Sequence, residues 1–175
     1  MAYLHFKLNP DGTRGSVNVY DSDPGIANGE EDVVIEYDFD PNVDFISALE
    51  LSEDKTSVSN KYPGKTVAEQ KVLFDEDCKL EQVPVEKERL RQKIKALVID
   101  IIEPLENDEK KAKEVDSTNG NVDKQRQIAI YRVAARAANN AHEQILDSLT
   151  TFDEVEAFDP DWTTEFKSTN ERPSI

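Results

Sequence analysis

The chain has 175 residues, with 37 acidic against 21 basic side chains, a formal net charge of -16 and a mean hydropathy of -0.67. That balance excludes a spontaneous binder of nucleic-acid backbone, which needs clustered Lys and Arg to displace counterions, and it argues against an anionic membrane surface. A hydrophobic content of 37% beside 33% charge predicts thin elements rather than a thick core. The acidity is uneven: residues 1–60 carry a balance of -10, residues 61–147 of -1 and residues 148–175 of -5. The one cysteine, Cys78, follows Asp75, Glu76 and Asp77, which disfavour a thiolate, and is read as an incidental thiol. The N-terminus lacks the basic and apolar regions of a signal peptide, and the most apolar run, around Ala96 to Ile102, is too short to span a bilayer. The expectation is a soluble protein, cytoplasmic during its synthesis.

The first third reads as β. Leu4, Phe6 and Leu8 alternate with His5 and Lys7, the period of a half-buried strand, which points His5 to solvent. Asn9-Pro10-Asp11-Gly12 is a turn, and residues 16–20 return as a hairpin partner. A third strand over residues 33–39 alternates Ile35, Tyr37 and Phe39 with Glu36 and Asp38, and Phe45, Ile46 and Leu49 are candidates to cover the sheet. Tyr62-Pro63-Gly64 marks the end of an acidic head over residues 1–62. Thr66 with Glu69 then forms a capping box opening a short helix to about Phe74, although a strand there stays open.

The middle, residues 63–150, reads as helical, with an αα-hairpin over about 84–149. Pro84 suits the first turn of a helix whose Leu90, Ile94, Leu97, Ile101 and Leu105 form one stripe, and Pro104 must kink or end it. Residues 106–115 are a charged, solvated extension, and Ser117–Asn121 a turn. A second helix, about Val122 to Ser148, carries Ile128, Tyr131, Ala135, Ala138, His142, Ile145 and Leu149 at heptad spacing. Ala134, Ala137 and Ala141 beside this seam allow another helix to approach closely. Arg126, Arg132 and Arg136 point elsewhere, toward acidic surfaces. The seams either close on each other within one chain or pack against neighbouring copies. Residues 151–175 hold a second capping box at Thr151 and Glu154, a short helix, and an aromatic docking segment of Phe158, Trp162 and Phe166. The last residues, from Ser168, read as disordered. The fold class is thus α+β: a small antiparallel N-terminal β unit, a long αα-hairpin and a short C-terminal helix.

Chemistry is sparse. His5, His142 and one cysteine cannot assemble an ordinary zinc centre; His142, on the seam, is expected to be a core or interface histidine with a hydrogen-bond partner. Asp21 and Asp23 in one turn, and Asp38 and Asp40 in another, are weak calcium candidates, since neither stretch fits the EF-hand pattern and Asp favours turns anyway. No nucleophile elbow, phosphate loop or metalloprotease motif is present. The expectation is therefore no cofactor and no enzyme.

Three pieces resemble small accessory proteins of bacteriophage tails, of the tail-fibre assembly or adaptor type: residues 8–13 (Leu-Asn-Pro-Asp-Gly-Thr), the Ala-rich stretch 133–138, and the ending 150–158, which is similar to a T-x-x-E-[LV]-x-A segment. The resemblance implies a virion-associated assembly protein and carries over no functional residue. The charged linker over residues 106–119 departs from that pattern. The leading expectation is a structural protein acting by helix packing, with a protein partner or its own copies. The alternatives are an acidic nucleic-acid mimic that inhibits a basic protein, and a calcium-dependent binding module.

Overall fold

In the computed structural model, which describes residues 1–174, the chain is α+β. Five strands, β1 (Ala2–Leu8), β2 (Arg14–Tyr20), β3 (Asp32–Tyr37), β4 (Leu49–Leu51) and β5 (Val58–Asn60), come first. Five helices follow: α1 (Val67–Ile102), α2 (Pro104–Asn119), α3 (Asp123–Ser148), α4 (Phe152–Glu156) and α5 (Thr163–Thr169). There are two compact units, Met1–Cys78 and a second that begins at Lys79, with the boundary inside α1.

In the first unit β1 is central to an antiparallel sheet of order β2-β1-β3, and β4 pairs with β5 in a separate hairpin. The alternation of β1 turns Leu4, Phe6 and Leu8 to one face, where they form a core with Val33 and Leu49. Between β1 and β2 the register slips at Lys7/Leu8. There a Cβ on Gly15 would stand 2.8 Å from the Lys7 carbonyl, so the bulge requires glycine. Of the expected cover, Leu49 is fully buried at the start of β4, while Ile46–Ala48 is a single 3-10 turn. Arg14 holds that turn from β2, its guanidinium donating to the carbonyls of Ile46, Ser47 and Leu49.

His5 departs from expectation. It is only 7% exposed, and its Nε2 donates to Asp32 Oδ1 at 2.7 Å. Strand alternation assigns His5 to the second face of the sheet, but it cannot say whether that face is wet. Here a carboxylate on the neighbouring strand makes burial of the imidazole tolerable.

The head also reaches beyond Tyr62, because the first turns of α1 belong to it. Gln70 is 1% exposed and uses its whole amide: Nε2 donates to the carbonyls of Val43 and Lys65, and Oε1 accepts from Phe45 N–H and Asn60 Nδ2. Phe74 meets Phe45 edge-on, and Asp77 accepts from Tyr62 Oη and pairs with Lys61. The Thr66–Glu69 capping box starts α1, as its residues predict.

The helix is far longer than expected, 36 residues with Pro84 inside it rather than at its first turn. An internal proline frees the carbonyl four residues before it. That carbonyl belongs to Leu80, and Leu80, Glu81, Pro84 and Val85 are all exposed, so water can satisfy it. At Pro104 the break falls where expected, with α1 ending at Ile102 and α2 beginning at the proline.

The second unit has one core, in which Leu90, Ile94 and Ile101 of α1 and Leu105 and Ala112 of α2 meet Ile128, Tyr131, Ala135 and Leu146 of α3. The charged stretch after Pro104 is therefore a packed helix, not a solvated extension. Its Leu105, Ala112 and Asp116 supply an inward face that the surrounding charges hide in the sequence. The hairpin between α2 and α3 turns on Asp116. Its backbone carbonyl accepts from Gly120, which sits at φ +69°, and from Asn121. Its carboxylate accepts the N–H groups of Lys124 and Gln125, capping α3 in place of Val122, which has no side chain able to do so.

Candidate functional site

The candidate site is α3, a helix apolar on two sides. Its inward side buries Ile128, Tyr131, Ala135, Asn139 and Leu146. Up to Ala135 this follows the heptad seam, and Ala138, His142 and Leu149 remain half-buried beside it. The last part departs: Leu146 is fully buried while Ile145 is 52% exposed. A straight α-helix repeats every 3.6 residues, so a strict seven-residue pattern drifts by about 20° per heptad unless the helices supercoil. Over the two heptads from Tyr131 the drift reaches about 40°, and the inward position passes from 145 to 146, five full turns after Ile128. Of the first stripe, Leu90, Ile94 and Ile101 are buried and Leu97 packs half-buried against them. These seams close on each other within one chain.

The outward side of α3 carries Ile130 at 60%, Val133 at 65% and Ile145 at 52% exposure, with exposed Ala137 and Ala141 between them. Beside its first half lies a groove of about 470 Å³, lined by Gln127, Ile130 and Ala134 and by residues 169–174 of the tail. Arg132 is drawn off to Glu109 at 2.7 Å, whereas Arg126 and Arg136 are exposed. The heptad template concealed this second face by assigning Ile145 inward.

The aromatic docking segment folds onto its own unit. Trp162 and Phe166 are 5% and 4% exposed, Phe166 meets Tyr131 and Trp162 edge-on, and Phe158 tilts against the ring of His142. Burial raises the Tyr131 pKa, with the Arg172 charge opposing it. His142 has the expected partner, its Nε2 donating to the Asp159 carbonyl at 2.8 Å. The end expected to be disordered is anchored up to Ser174. α5 continues to Thr169, Arg172 pairs with Asp108, and Lys124 Nζ donates to the Ser174 carbonyl. Polar composition suggested a free end, but Arg172 of the tail reaches Asp108 on α2 and Lys124 of α3 reaches the tail backbone; Ile175 lies outside the described residues.

The Asp-rich turns are occupied by their own backbones. Asp23 accepts from Gly25 N–H, and Asp40 from Asn42 N–H and Nδ2, while Asp21 and Asp38 are exposed. Asp11 and Asp54 close turns in the same way, and hydrogen bonds, from the Thr13 hydroxyl and the Ser52 hydroxyl first, hold their pKa below the usual carboxylate value. Among the described residues no group of three or more His, Cys, Asp or Glu converges as a metal site. The His5–Asp32 pair is a histidine–carboxylate couple, but its Nδ1 is buried and has no partner among the described residues.

In comparison with known proteins, no family model, no curated protein and no solved structure matches this chain.

Proposed function

We propose that this chain is a non-enzymatic structural or assembly protein that works by helix contact, in the setting its sequence resemblance implies, a virion tail. The observation that carries the reading is the outward face of α3. Ile130, Val133 and Ile145 stand more than half exposed along one side of a helix whose other side is already packed. Apolar side chains scattered singly on a surface need no explanation, but a row along one helix marks a contact surface. The partner is a protein. Its contact is predominantly apolar, and the acidic ends of the chain add solubility and steering toward basic surfaces.

A photo-crosslinking residue at position 133, in cells that naturally make the protein, tests this. A discrete protein adduct is expected there, and none from the same residue at position 111 on the exposed side of α2. The adduct should also form when a lysate of those cells is irradiated in about 0.5 M salt, where charge interactions are screened within a few ångströms. Absence of adducts at 130, 133 and 145 would overturn the reading. An adduct that forms at low salt but not on irradiation in about 0.5 M salt would favour an acidic mimic instead.

A further inference from the structure

We infer that the outward face of α3 pairs with the same face of a second copy, antiparallel, across a two-fold axis passing between Ala137 and Ala138. The inference rests on the contact reading above and names its partner. On a helical wheel Arg126, Ile130, Val133, Ala137, Ala141 and Ile145 fall within an arc of about 120°. The face is partly palindromic: Ile130 mirrors Ile145, and Ala137 and Ala141 mirror the half-buried Ala138 and Ala134 about one midpoint, while Val133 mirrors the half-buried His142. A two-fold contact needs such self-complementarity, because each residue must meet its mirror position in the other copy. Alanines at the centre let two helix backbones approach closely, and the isoleucines at the ends fill the space where they diverge.

Charge selects the direction. Residues 123–136 of α3 hold four basic side chains and one acidic, while residues 137–148 hold two acidic and no basic. Antiparallel pairing sets the exposed Arg126 and Arg136 toward the acidic half twice, places Arg126 on the same flank as Asp147 of the second copy, whose carboxylate Arg91 of its own chain already holds at 2.6 Å, and opposes the two helix dipoles. Parallel pairing would set like against like.

The groove beside Ile130 supplies the seat. In the antiparallel register Ile145 of the second copy lies opposite Ile130, on the flank where Gln127, Ala134 and the tail leave about 470 Å³ open. A single helix pair buries less than the area of a standard stable interface, about 1,200–2,000 Å². The dimer is therefore a weak one, with a dissociation constant on the order of 10–100 µM.

Sedimentation equilibrium and cysteine crosslinking of the purified chain test the inference. The mass should rise from 19.8 kDa toward twice that value with increasing concentration, and Ala137→Glu, at an exposed helical position, should weaken association at least ~10-fold without altering the circular dichroism. In a Cys78→Ser background, Ala137→Cys should form an intermolecular disulfide, because it lies beside its own mate across the axis. Ile130→Cys should not, because its mate is about 22 Å away along the helix. A wild type that stays monomeric at about 0.5 mM would overturn the inference. So would disulfide formation by Ile130→Cys, the mark of parallel pairing, or failure of Ala137→Cys to crosslink. None of these outcomes removes a crosslink from position 133 to a different protein, so the contact reading and this dimer fail separately.

Discussion

Leu146 and Ile145 are adjacent residues on one helix that a heptad pattern and the folded chain assign to opposite sides. Leu146 is 0% exposed and Ile145 is 52% exposed. Truncating Leu146 to Ala removes three buried carbons and leaves a cavity in the core shared by α1, α2 and α3, a change that costs about 3–5 kcal/mol in comparable sites. Truncating Ile145 removes side-chain atoms already half in water and replaces a β-branched residue by the best helix former, so the net change lies within about 0.5 kcal/mol. The assay is urea unfolding followed by the fluorescence of Trp162, which is 5% exposed in this unit and is the only tryptophan of the chain. It should be run at about 1 µM protein, so that pairing between copies contributes nothing. With a urea slope of about 1–1.5 kcal/mol per molar for a unit of this size, Leu146→Ala should lower the midpoint by about 2–5 M and Ile145→Ala by less than about 0.5 M. Equal losses, or a larger loss at Ile145, would refute the 3.6-residue register and restore the heptad seam.

Gln70→Met keeps the side-chain length but strips partners from Phe45 N–H, Asn60 Nδ2 and two carbonyls. It should destabilise the first unit by about 2–4 kcal/mol, read as faster amide exchange at Phe45 and along β4 and β5. Asp116→Asn should lower the melting temperature at neutral pH. Burial of this carboxylate works to raise its pKa, but the N–H groups of Gln125 and Lys124 outweigh it, and the folded value lies below the ordinary 3.8. A depressed folded value means that the stability is present above 3.8 and lost as pH falls through the folded value. The gap between wild type and Asp116→Asn in thermal melts should therefore narrow on acidification through that range. Thr151→Ala removes the capping box of α4, in which Thr151 Oγ1 accepts from Glu154 N–H and the Glu154 carboxylate accepts from Thr151 N–H. It should cost about 1 kcal/mol in the same urea titration.

Much of the local structure was legible in the sequence because its causes lie within a few residues. Apolar alternation marked β1 and β3, and Asn9-Pro10-Asp11-Gly12 marked the hairpin. Both capping boxes formed, Pro104 ended α1, and α3 runs over nearly the expected span. The inward part of the candidate site up to Ala135 was legible for the same reason. The outward face was not, since apolar residues on two sides of one helix look alike until something covers one of them.

What only the tertiary structure decided concerns partners far apart in the chain. His5 is buried beside Asp32 of the neighbouring strand, and Pro84 sits inside a helix at a point where Leu80, Glu81 and Val85 around it are exposed. Asp116 caps a helix seven residues downstream, and the C-terminal residues are anchored because Lys124 and Arg172 find partners more than forty residues away. The drift from Ile145 to Leu146 has the same origin: a repeat specifies the spacing of apolar groups, but which of them faces inward depends on the direction from which α1 and α2 approach. Short-range energetics determined where this chain turns, pairs and coils, and the packing of distant segments decided which of its apolar surfaces stayed exposed.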